Sequence, residues 1–199
     1  MFKQLILLTL LLLSSQASLA CQCLWQGSFT KAANNADLIV SGKVLAHKGN
    51  AADFEISKIL KGKEFLEVIR LWGDTGKLCR PNIYGFPEHS EWVLALHKIT
   101  EVPDDGFNPN TPSFSYGRLG DYSLSNCGVY WLKNEHGFIT GNIINGPRWQ
   151  WQDEKMNPVR IEVLEAYINN KIDDKKLIEA AKPQKALKDL MKNTLQSLE

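Results

Sequence analysis

Two cysteines separated by a single residue, Cys21-Gln22-Cys23, stand directly after the small-residue run Ala17-Ser18-Leu19-Ala20. Cleavage after Ala20 would leave a free α-amine on Cys21, a group whose pKa lies near neutrality. That nitrogen and the carbonyl oxygen of the same residue form a two-pronged ligand for a borderline cation. Disulfides at Cys21 and Cys23 would hold both atoms rigidly, and a preset ligand avoids the ordering cost that a floppy terminus incurs. The matching target is a catalytic zinc with an open coordination position, carried by another protein.

The residues before this motif explain why it would be a terminus. Lys3 supplies a positive start, Leu5 to Leu13 is apolar apart from Thr9, and small residues follow. This order of charge, apolar core and cleavage site predicts a signal peptide over residues 1–20 and a secreted or periplasmic location. The apolar run is far shorter than the roughly 20 residues needed to cross a bilayer. No second stretch of the chain is long enough, so no transmembrane segment is expected. The leader carries Lys3 and no acidic residue, so the mature 179 residues hold 22 basic against 22 acidic side chains. Nothing in that balance argues for a nucleic-acid partner, since backbone binding needs a clustered basic surface, and none is expected.

All four cysteines, Cys21, Cys23, Cys79 and Cys127, lie beyond the leader. An even count in an exported chain reads as a disulfide framework, with three pairings open. Direct closure of Cys21 on Cys23 would make a strained ring. Two long-range bridges are expected instead, one each to Cys79 and Cys127, closing loops of roughly 60 to 100 residues. A metal site of the chain's own would need CxxC or paired histidines. His47, His89, His97 and His136 are scattered instead, and no cofactor is expected. Nor is catalysis, since nucleophile elbow, phosphate loop and His-bearing metal motif are all missing from the sequence. Asp104-Asp105 and Asp173-Asp174 read as solvated loop and helix-start charges.

The elements that must position the motif follow from patterning. Asp37 to Leu45 reads as a strand, with Gly42 marking a bulge or bend. Asp53 to Leu60 alternates apolar and polar residues, and Phe65 to Trp72 continues as a third strand. Glu91 to His97 is the fourth, and Gly128–Leu132 with Gly137–Ile144 make a last pair. Residues 103 to 121 read as a long loop. Several short strands with turn residues between them predict a small closed or half-closed barrel over residues 21–152. Residues 153–199 form a helical segment: Asn157-Pro158 reads as a helix start, Asp173 begins a second helix, and Pro183 ends it. Leu187, Leu190, Met191, Leu195 and Leu198 then make one apolar stripe, expected to pack on the chain's own domain. Of the six tryptophans, Trp149 and Trp151 are the most suggestive of exposure.

Beyond the Cys-x-Cys start, the chain carries Asn35-Ala36-Asp37-Leu38-Ile39-Val40, then Phe54-Glu55-Ile56-Ser57-Lys58-Ile59-Leu60-Lys61-Gly62, then an isolated Cys79. With these features it resembles the tissue inhibitors of metalloproteinases over roughly Cys21 to Ile144, as a bacterial-type, single-domain member. The resemblance implies a mainly β fold, a five-stranded OB-like (netrin-like) barrel, here with a C-terminal helical extension. It implies the pairings Cys21–Cys79 and Cys23–Cys127. It also implies a zinc metalloprotease as partner, with Cys21 chelating the partner's zinc and Gln22 entering the specificity pocket. Gly76, Lys77 and Leu78 would line the same ridge. Gln22 stands where that family usually has a small hydroxyl side chain, and a third barrel disulfide and a cysteine-rich second domain are missing. Two other readings use the same residues. One is a non-inhibitory binding module on the same barrel. The other is a lipoprotein anchored through Cys21, since Ser18-Leu19-Ala20-Cys21 loosely matches a lipid-attachment box; the odd thiol this would leave counts against it.

Overall fold

The computed structural model describes residues 23–76, 78–102, 115–146, 158–182 and 184–198. Strand β1 (Leu38–Lys48) turns at Gly49-Asn50 into antiparallel β2 (Ala51–Lys61), and β2 pairs with β3 (Val68–Trp72). β3 lies parallel to β5 (Tyr122–Ser123), β5 is antiparallel to β4 (Glu91–Lys98), and β4 returns to β1. The circuit β1-β2-β3-β5-β4-β1 is a closed, five-stranded OB-like barrel: the strand pattern predicts a closed or half-closed barrel, and the resemblance implies its five-stranded OB-like form. Closure leaves none of the five strands with a wholly unpaired edge.

Local sequence accounts for the bends that closure requires. The β1–β2 register shifts between Ser41 and Gly42. A Cβ at Gly42 would fall 2.0 Å from the Glu55 carbonyl oxygen, so glycine alone allows the two strands to approach there. Inside, Val44, Phe54, Ile69, Leu71, Leu94 and Leu96 are almost wholly buried. Trp72 and Trp92 are buried as well, and Trp25 and Trp131 pack half-buried against the core. Trp149 and Trp151 lie outside the described residues.

Three expectations are revised. The third strand begins at Val68 rather than Phe65, because the Glu64 carboxylate accepts the backbone N–H groups of Phe65 and Leu66 and takes them out of strand pairing. The expected last strand pair is a hairpin, β6 (Trp131–Glu135) and β7 (Phe138–Thr140), lying outside the barrel circuit against the first half of β4. The fifth barrel strand is instead the two-residue β5, directly after the stretch expected as a loop. At the carboxyl end, Val159 and Arg160 form β8 against β7, so the first long helix starts at Ile161 rather than at Pro158.

A short helix, α1 (Phe29–Ala32), precedes β1, and three helices follow β8: α2 (Ile161–Ile168), α3 (Asp174–Ala180) and α4 (Lys185–Gln196). Asp173 caps α3 as expected, accepting the Lys176 N–H at 2.9 Å. Leu164 of α2 and Leu177 of α3 are fully buried in the core that they share with the barrel. Lys58 on β2 ties α2 down through Glu165 at 2.5 Å. Among the described residues no helix is long and apolar enough to cross a membrane.

Candidate functional site

The amino-terminal segment is fixed to the face of the barrel that carries the β6–β7 hairpin. Cys23 is disulfide-bonded to Cys127, 104 residues away, with their Cα atoms 5.6 Å apart. Just beyond, the Gln26 N–H donates to the Cys127 carbonyl at 2.8 Å, and the Val129 N–H donates to the Gly27 carbonyl at 3.0 Å. The Gln26 side chain is held too: buried Tyr130 donates its hydroxyl proton to Gln26 Oε1 at 2.8 Å. Burial raises the pKa of that hydroxyl, which keeps it a donor. The Phe29 and Thr30 N–H groups donate to the Asn142 and Ile143 carbonyls, so the pairing runs on into α1. At Gly27 the chain turns with φ +106°, a conformation other residues rarely adopt.

The connection after β3 meets the same place. The Sγ atoms of Cys23, Cys79 and Cys127 all lie within 4.8 Å of one another, and the Asn126 N–H donates to the Cys79 carbonyl at 2.8 Å. Cys79 is itself disulfide-bonded. Such a convergence of sulfurs has metal-ligand geometry, but among the described residues no cysteine is free to supply a thiolate. The structure therefore bears out the Cys23–Cys127 pairing implied by the resemblance. Cys21, expected opposite Cys79, lies outside the described residues, as do Gln22 and Lys77. Leu78 is half-buried next to Cys79, and Leu24 projects with 90% of its surface exposed. Half-buried Arg80 donates to the Tyr116 carbonyl at 2.7 Å, which anchors the far end of this ridge.

Beside the ridge is a feature that sequence reasoning missed. A groove of about 640 Å³ runs between the β1–β2 turn (Gly49, Asn50), the β3 exit (Asp74, Thr75, Gly76) and the turn at Asn82–Tyr84. Tyr84 bridges its walls by donating to the Gly49 carbonyl at 3.0 Å. Asp74 Oδ1 accepts the Gly76 N–H at 2.7 Å and shapes the chain just ahead of Leu78. No periodic pattern marks residues such as Gln26 or Tyr84, which act through single long-range contacts.

Other candidate chemistry disperses. Asp173 and Asp174 do separate structural jobs, one capping α3 and the other accepting the Tyr167 hydroxyl at 2.8 Å. Asp104 and Asp105 lie outside the described residues. His47 contacts Glu88 and the Phe86 carbonyl, while His97 faces Asp37 and the Tyr130 ring. Burial lowers the His97 pKa, with Asp37 pulling the other way. His89 and His136 sit in turns with φ of 65° and 51°.

No protein-family model matches the chain, and a search of curated proteins returns no match.

Proposed function

We propose that this chain is an exported, disulfide-bonded module that caps the catalytic zinc of a metalloprotease with the amine and carbonyl of Cys21. The observation that carries the reading is the anchoring of Cys23. It is bridged to Cys127 and followed at once by backbone pairing of Gln26 and Gly27, so the chain leading to Cys21 departs from a fixed point. A chelating pair presented from a fixed point loses little free energy on docking. Exposed Leu24 and half-buried Leu78 offer apolar contact beside it, and Gln22 would enter the protease's specificity pocket. The OB-like barrel and the Cys-x-Cys start both fit the resemblance to the tissue inhibitors of metalloproteinases.

The decisive comparison is between the protein beginning at Cys21 and a variant with one alanine placed before it, assayed on a panel of zinc metalloproteases. Extension turns the amine into an amide nitrogen that no longer ligates zinc. Inhibition should fall at least about a hundredfold, the upper end of what losing a hydrogen-bond partner of a metal ligand costs, since here a ligand itself is lost. Equal inhibition by the extended protein would refute zinc capping.

One observation favours a second reading, a non-inhibitory binding module. Phe65 and Leu66, 95% and 64% exposed, have their backbone N–H groups held by the Glu64 carboxylate and make an apolar display at the β2–β3 connection. A diacylglyceryl mass on Cys21 would occupy the sulfur needed for its disulfide and select this reading in its membrane-anchored form.

A further inference from the structure

The apolar stripe of α4 does not pack as the sequence suggests. α2 and α3 each bury a leucine in the shared core, whereas no residue of α4 is buried. Leu190 is 52% exposed and Leu198, just past the helix, 60%. Leu187, Met191 and Leu195 continue the same stripe at intervals of three and four residues and are partly covered, none of them buried.

The charges on this helix say what complements it. Lys185, Lys188 and Lys192 recur at the same three- and four-residue spacing and form a cationic ridge alongside the leucines, opposed within the helix by Asp189 alone. Among the described residues none of the three is ion-paired, whereas neighbouring Lys182 is engaged by Glu179 at 2.5 Å. Twelve helical residues extend only about 18 Å, too short to span a hydrocarbon core of about 30 Å but suited to lying along its surface. A second copy is a poorer complement, because in an antiparallel pair of such helices like flanks meet and lysine ridge would oppose lysine ridge.

We propose that α4 is an interfacial helix that lays its leucine stripe on an anionic lipid surface, with Lys185, Lys188 and Lys192 facing the headgroups. The proposal is independent of zinc capping, since α4 carries none of the residues assigned to that function.

The test is flotation of the full exported protein with vesicles of equal parts phosphatidylglycerol and phosphatidylcholine, against vesicles of phosphatidylcholine alone. Binding should be at least about tenfold stronger on the anionic vesicles and weaken as salt rises. The double variant Leu190→Glu/Met191→Glu should lose it by a similar factor, and Lys188→Glu/Lys192→Glu should lose it in part. Because Leu190 is exposed and no residue of α4 is buried, the first variant should keep the wild-type circular dichroism and melting midpoint, which separates lost binding from lost fold. Failure of the wild type to float, or undiminished flotation of Leu190→Glu/Met191→Glu, would overturn the proposal. So would sedimentation showing a dimer that the same variant dissolves while vesicles are ignored.

Discussion

Asp53 shows how a single side chain links the barrel's stability to pH. It accepts Arg70 Nε at 2.8 Å and Nη2 at 2.6 Å, with Lys48 at 3.1 Å. Burial alone would raise its pKa, but the hydrogen bonds and charges of Arg70 and Lys48 outweigh this and hold it below the usual value. A carboxylate depressed in the folded state stabilises above its ordinary pKa and loses that contribution as pH falls through the folded value. Asp53→Asn should therefore cost about 2 kcal/mol at neutral pH, the scale of hydrogen bonds to a charged group. In urea titrations its midpoint should converge with the wild type as pH falls below the carboxylate range; a constant gap would refute the assignment. At this scale legibility depended on residue type. Gly42 announced its bend because glycine inside a strand has few other uses, whereas the Glu64 carboxylate that takes the N–H groups of Phe65 and Leu66 acts on residues whose types read as strand.

Elements were legible where they are long. β1, β2 and β4 run for 11, 11 and 8 residues, enough for alternation and β-branched content to declare them. β5 has two residues and no period to detect, and the hairpin that followed it, rich in apolar residues, took its place in the sequence reading. What defines β5 is tertiary: Leu71 and Trp72 on one side, His97 and Lys98 on the other. The helices were legible from their spacing, but which of them dock was not, since both α2 and α4 carry apolar stripes. Leu164 marks the difference. Fully buried in the common core, its replacement by alanine should cost about 3 kcal/mol, measured by chemical denaturation. A loss below about 1 kcal/mol would mean that α2 is not part of the cooperative core.

Over the whole molecule, the candidate site draws on sequence-distant parts: the segment at Cys23, the β3 exit at Cys79 and the chain at Cys127. The cysteine count made a framework legible, yet Gln26, Tyr130 and the groove beside Tyr84 emerge only when the chain closes on itself. That closure runs through β4. One edge of β4 pairs with β1, while the other is divided, with Glu91 to Leu94 on β6 and His97 and Lys98 on β5. The barrel and the hairpin beneath the amino-terminal segment thus share β4 as a wall. In amide exchange from the native state, Val93, Leu94, Ala95 and Leu96, none of them exposed, should be the last protons lost. Leu132 and Asn134 of the hairpin should exchange through the same global opening. Hairpin amides exchanging orders of magnitude sooner would mean two separate units. If they exchange together, the platform bearing Cys127 persists for as long as the molecule stays folded, and Cys23 stays seated on it between unfolding events.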